Sequence, residues 1–125
     1  MYCIAVKRDF IANHFLIGGD WGRENEPHAH HYVIEVQIKH DQLDQHGYLV
    51  DIVKIEAELD ALVENYRDKL LNDFPEFNGI NTSIEHFSRI IWEKLKKNIQ
   101  PPEPGSFRIK LWENEDCWTS YQKDY

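Results

Sequence analysis

The sequence predicts an α+β fold of order ββααββ, an antiparallel sheet with two helices on one face. Three observations predict it. Residues 2–14 and 28–39 alternate apolar and polar with period two, and strand-like segments return at about 106–113 and 117–122. Residues 51–71 and the stretch from Thr82 to the prolines at 101–104 carry apolar residues at three-four spacing instead. Glycine and proline mark the joins. Strands paired by short turns, with both helices between the pairs, pack as a sheet covered on one side. Such a sheet has open edges, which must be blunted, covered or paired, so edge pairing between copies of the chain is expected.

In the first strand Tyr2, Ile4, Val6, Phe10, Ala12 and His14 share one side, interrupted only by Arg8. A loop over 16–27 follows, marked by Gly18, Gly19, Gly22 and Pro27. The second strand sets Tyr32, Ile34, Val36 and Ile38 on one face and Glu35, Gln37 and Lys39 on the other, completing a long hairpin. His46 and Gly47 punctuate the next turn. The first helix carries Ile52, Ile55, Leu59, Leu62, Val63, Tyr66 and Leu70, with Asp51 at its N-cap. After a loop containing Pro75, Asn78 and Gly79, the capping-box spacing of Thr82 and Glu85 opens the second helix. Its stripe is Ile84, Phe87, Ile91 and Leu95, and it stops before Pro101, Pro102 and Pro104.

The 125 residues fit one domain, 1–125, and 42% hydrophobic composition is enough for a real core. A net charge of −8 with no offsetting Lys/Arg cluster would repel a phosphate backbone, which argues against a nucleic-acid partner. No apolar run approaches membrane-spanning length and no signal-peptide pattern opens the chain, so no membrane partner and a cytoplasmic location are expected. Cys3 and Cys117 are too few for a disulfide framework and are expected to be reduced and partly buried.

The seven histidines are unevenly spread. His28 and His30, two apart at the start of a strand, project to the same side, the side of Ile34, Val36 and Ile38. His14 ends the first strand on its apolar side, and neighbouring strands lie about 4.8 Å apart, so the three imidazoles can converge. Three neutral imidazoles with a vacant fourth position suit a catalytic zinc ion, with Zn–N near 2.0 Å in general. A His-x-His pair by itself is a weak signal, more often a surface pair than a metal site. His31 faces the other way.

Phe10-Ile11-Ala12-Asn13-His14 followed by His28-Ala29-His30-His31-Tyr32 resembles the zinc motif of the 6-pyruvoyl tetrahydropterin synthase family, which also holds the 6-carboxytetrahydropterin synthases (QueD) of the queuosine pathway. Ala29 stands where that family has glycine. Gly47-Tyr48-Leu49-Val50-Asp51, Ser83-Ile84-Glu85 with Ile91-Trp92, and Lys110-Leu111-Trp112-Glu113 resemble its later motifs in the right order. The resemblance implies the T-fold, in which ββααββ subunits form trimeric barrels that stack into hexamers, with active sites between subunits. It implies Zn2+ on His14, His28 and His30, and a dihydropterin substrate.

Glu113 continues the register of Phe107, Ile109 and Leu111, and a carboxylate ending an apolar face needs a partner. One carboxylate can accept both the ring N–H and the exocyclic amine of a pterin, the role the resemblance gives Glu113. The bare sequence also allows a solvated strand-end glutamate. Ser83 stands where the family has a threonine that helps to hold the pterin, and also where a serine would cap the helix.

Two larger departures from the pattern concern its catalytic groups. Four residues before the His-x-His, where the family has its familiar catalytic cysteine, the chain has Glu24. In a branch called type III, glutamate replaces this cysteine, and dihydroneopterin is cleaved to 6-hydroxymethyl-dihydropterin, a folate precursor. A carboxylate beside zinc can act as general base on a substrate hydroxyl. Glu24 fits that role, Glu26 is a second candidate, and both also fit a merely acidic loop. The family's Asp-His pair after the first helix falls on Arg67 and Asp68, so its histidine is gone; His46 and His86 are the remaining candidates. These features imply a zinc-dependent lyase of type III kind. The alternatives are a carboxy- or pyruvoyl-synthase acting on dihydroneopterin triphosphate and a non-catalytic zinc- and pterin-binding protein.

Overall fold

The computed structural model describes all of residues 1–125. Four strands, β1 (Tyr2–His14), β2 (His28–His40), β3 (Ser106–Trp112) and β4 (Trp118–Asp124), form one antiparallel sheet in sequence order. Between β2 and β3 the chain forms α1 (Ile52–Tyr66) and α2 (Ile84–Ile99). The first helix lies on β1 and the second on β3 and β4. No helix is long and apolar enough to cross a membrane.

The period-two pattern has the expected consequence. Val6, Phe10 and Ala12 of β1, Tyr32, Ile34, Val36 and Ile38 of β2, and Phe107, Ile109 and Leu111 of β3 are all buried under the helices. Phe87 of α2 sits at the centre of an aromatic cluster, its ring 5.1 Å from Tyr66, 5.5 Å from Tyr32 and 5.6 Å from Phe77 between centroids. Edge-to-face packing of this kind adds to the burial itself. Arg8, the interruption in the first strand, reaches up to α1. Its guanidinium donates to Asp60 and Glu56, each at 2.7 Å, so a charge on the apolar side is paired rather than orphaned.

Three expectations are corrected. The first helix ends at Tyr66, not near residue 71, because the backbone beyond it is claimed by β1: Asp68 N–H donates to the Ile11 carbonyl and Asn13 N–H to that of Lys69. Asp68 turns the chain with φ of 60°. The cap of α2 is Ser83, whose hydroxyl accepts from the His86 N–H, while Thr82 is buried one residue earlier. Cys3 and Cys117 are both free and exposed, since Cys3 alternates with Ile4 onto the uncovered face and Cys117 lies in the β3–β4 turn.

Candidate metal centre

The hairpin register builds the site. His14 of β1 pairs with His28 of β2, and Ala12 pairs with His30. The small Ala12 side chain leaves room for the imidazole opposite it. The three rings form a near-equilateral triangle, with centroids 4.5 Å apart for His14–His28 and 4.9 Å for the other two pairs. Tyr32 lies beneath, 5.7 Å from the His30 ring.

Backbone carbonyls fix how two of the rings are protonated. His14 Nδ1 lies 2.9 Å from the Thr82 carbonyl, and His28 Nδ1 lies 2.8 Å from the Glu26 carbonyl. A carbonyl can only accept, so each Nδ1 carries the hydrogen, and in the neutral ring Nε2 is left to present a lone pair. Burial pushes the His14 imidazole's pKa down, the Thr82 bond opposes that, and the neighbouring histidines reinforce it, so the neutral ring is favoured. This carbonyl anchoring is the usual second layer around a metal-bound imidazole. The Nε2 atoms of His14, His28 and His30 are all buried without a hydrogen-bond partner. Buried polar atoms without a partner are costly unless a donor or a cation satisfies them.

Two carboxylates close on the triangle. Glu24 Oε2 lies 2.9 Å from His28 Nε2, and Glu113 Oε1 lies 3.0 Å from His30 Nε2. Both are within ion-pair distance, yet neither is aligned as a hydrogen bond. With His28 neutral, the Glu24 oxygen faces an imidazole lone pair, and the two repel unless a proton or a metal ion lies among them. One ligand atom from each of His14, Glu24, His28 and His30 falls within 4.8 Å of the others. A donor set of three imidazoles, with the Glu24 carboxylate beside it, fits zinc better than calcium or magnesium.

The other expected residues divide. Glu113, just past β3, is directed at His30 and is mostly buried. Glu26 contributes its backbone carbonyl to His28, and its side chain is exposed and outside the cluster. Ser83 caps α2. His46 is exposed beside Gln45, and His86 lies beside Arg89, so neither joins the centre. Arg67 pairs with Glu64. Thr82 was not legible in sequence: its carbonyl holds His14 and its hydroxyl donates to the Phe15 carbonyl, while Asn72 exchanges two hydrogen bonds with the Phe15 backbone.

An open cleft of about 640 Å³ runs past His30 and Glu113 to Lys7 and Trp112, ample for a bicyclic ligand. A more apolar cleft of about 600 Å³, between Tyr2, Tyr48 and Val53, lies at the far end of β1, remote from the histidines.

Comparison with known proteins agrees with the fold. The sequence model of the family described as 6-pyruvoyl tetrahydropterin synthase matches residues 3–124. A 6-pyruvoyl tetrahydrobiopterin synthase of Dictyostelium discoideum is 30% identical over 104 residues, 82% of this chain and 75% of that protein. The 6-carboxy-5,6,7,8-tetrahydropterin synthase of Bacillus subtilis is 26% identical, covering 79% of this chain and 67% of its own. The structure of Caenorhabditis elegans 6-pyruvoyl tetrahydropterin synthase superposes with a TM-score of 0.84 at 21% identity, over 99% of this chain and 98% of that one. A Plasmodium vivax 6-pyruvoyltetrahydropterin synthase in which a catalytic glutamate is replaced by alanine gives 0.78 at 14% identity, with the same coverage. With four antiparallel strands, two helices on one face and a family match along nearly its whole length, this T-fold chain belongs to the 6-pyruvoyl tetrahydropterin synthase family.

Proposed function

We propose that the chain is a zinc-dependent lyase acting on the side chain of a 7,8-dihydroneopterin-type substrate, with Glu24 as its general base. The observation that carries this reading is the Glu24 carboxylate, 2.9 Å from His28 inside the three-histidine cluster, at the position where the resemblance leads one to expect cysteine. The P. vivax relative, whose catalytic residue is a glutamate, supports it.

His14, His28 and His30 would hold the zinc ion, which when bound would supply Lewis-acid polarisation of the substrate's side-chain oxygens. Glu24 accepts the proton of the hydroxyl on the second side-chain carbon. That carbon becomes a carbonyl as its bond to the first carbon breaks, and the electron pair passes to the first carbon, which is then protonated. The products are 6-hydroxymethyl-dihydropterin and a two-carbon aldehyde, and no oxidant or reductant is needed. Glu113 accepts from the pterin ring N–H and amine, and Tyr32, kept protonated first by burial and then by the charges of Glu113 and Glu24, floors the site. Glu26 is the weaker candidate for the base, since its side chain is outside the cluster. Ser83 is close to the helix end that carries Thr82 and is the second substrate contact in this reading. Copies pair through the open edges of β1 and β4 into a trimer or a dimer of trimers.

A second reading is favoured by the names of the relatives in D. discoideum and B. subtilis: a pyruvoyl- or carboxy-tetrahydropterin synthase using dihydroneopterin triphosphate. Mass spectrometry of zinc-loaded protein given each substrate separately distinguishes them. The lyase reading expects 6-hydroxymethyl-dihydropterin from dihydroneopterin, formed much more slowly but still measurably in Glu24→Gln and at the wild-type rate in Glu26→Gln. Triphosphate release with no product from dihydroneopterin supports the second reading. Binding of either pterin without turnover contradicts both and makes the protein a zinc- and pterin-binding homologue.

A further inference from the structure

The loop that carries Glu24 is braced by one side chain. Asn25 Nδ2 donates to the carbonyls of Leu16 and Gly19, each at 3.0 Å, and Asn25 Oδ1 accepts from the Trp21 N–H at 2.8 Å. The amide orientation follows from these partners, because reversing it would face oxygen with two carbonyls and NH2 with an N–H. Leu16 N–H donates in turn to the Glu24 carbonyl at 2.9 Å. The two ends of the loop, one leaving His14 and one entering His28, are therefore latched together at Leu16 and residues 24–25. Trp21 folds over Gly19 so closely that a Cβ there would sit 2.6 Å from the indole. The short 3-10 turn Gly22–Asn25 then delivers Glu24 to the cluster. Glu24 itself is about half exposed, so packing on its own side chain does not hold it there.

From this latch we propose that Asn25 is a positioning residue that holds Glu24 at the histidine cluster, acting on the reaction through Glu24 and not by touching substrate or metal. The inference rests on the role assigned to Glu24 above. Remote changes that displace a reacting group by an ångström can cost about 100-fold in rate, so the effect is measurable.

The test is Asn25→Ala in the zinc-loaded protein, alone and combined with Glu24→Gln, read by dihydroneopterin turnover and by amide hydrogen exchange. The expected result is a kcat lower by roughly 10–100-fold with KM little changed, and no further loss when Glu24 is already glutamine. Exchange at Leu16 and Trp21 should accelerate by about 10-fold or more while β2 amides keep their protection. Leu16 and Trp21 amides exchanging at the wild-type rate in Asn25→Ala would overturn the proposal whatever the activity. So would a loss that adds in full to that of Glu24→Gln. Wild-type protein that turns over no pterin defeats the lyase reading instead, and leaves the exchange measurement to decide the latch.

Discussion

At the scale of single residues, the convergence of His14, His28 and His30 was legible because a strand's period is exact enough to aim side chains: two residues apart means the same side, and hairpin pairing brings His14 opposite His28. The Glu76–Tyr66–Lys94 network was not legible, because its members come from three separate segments. Tyr66 donates to Glu76 at 2.7 Å, and Lys94 reaches both. Burial by itself would raise the Glu76 pKa, but the bonds from Lys94 and Tyr66 outweigh it and hold the carboxyl below its usual range. A depressed carboxyl stabilises the fold fully above its unfolded pKa, near 4.5, and that stabilisation is lost as pH falls through the folded value. Glu76→Gln should therefore cost about 2 kcal/mol at neutral pH, as for hydrogen bonds to a charged group, and flatten the acid side of the stability profile. Urea titrations of both proteins from pH 7 down to about pH 3 check it; parallel profiles would refute the assignment.

At the scale of elements, caps and core make different demands. Asp51 accepts from the Val53 N–H in an exposed turn, so Asp51→Ala should cost about 1 kcal/mol. Phe87→Ala should cost about 4 kcal/mol, because it opens a cavity among Phe10, Tyr32, Tyr66 and Phe77. Thermal and urea unfolding of the two variants should rank them in that order. Element identity followed from periodicity, and Asp51 from its place ahead of an apolar stripe. The end of α1 did not follow, since Leu70 continues the helical spacing while its backbone bridges to Asn13. Tertiary pairing overrode a local pattern there, as it did at Thr82, where burial against His14 displaced the expected cap onto Ser83.

At the scale of the whole molecule, the four-stranded sheet ends in two unpaired edges, β1 and β4. Exposed apolar residues, among them Tyr2, Tyr48, Ile52 and Val53, gather near the start of β1. Both features suit association of copies, which the period of a single chain can suggest but not specify, because the partner surface is not encoded in one strand's alternation. Sedimentation should give a mass of three or six times 14.9 kDa, and a 14.9 kDa species at micromolar concentration would contradict edge pairing. The order of motifs along the chain made the family legible.

The central claim is that three imidazoles hold a zinc ion beside Glu24. Zinc-edge X-ray absorption on the zinc-loaded protein tests it most directly. The account predicts three imidazole nitrogens at about 2.0 Å, light oxygen atoms completing the shell, and no sulfur. A sulfur scatterer at about 2.3 Å, or fewer than two imidazoles, would contradict it.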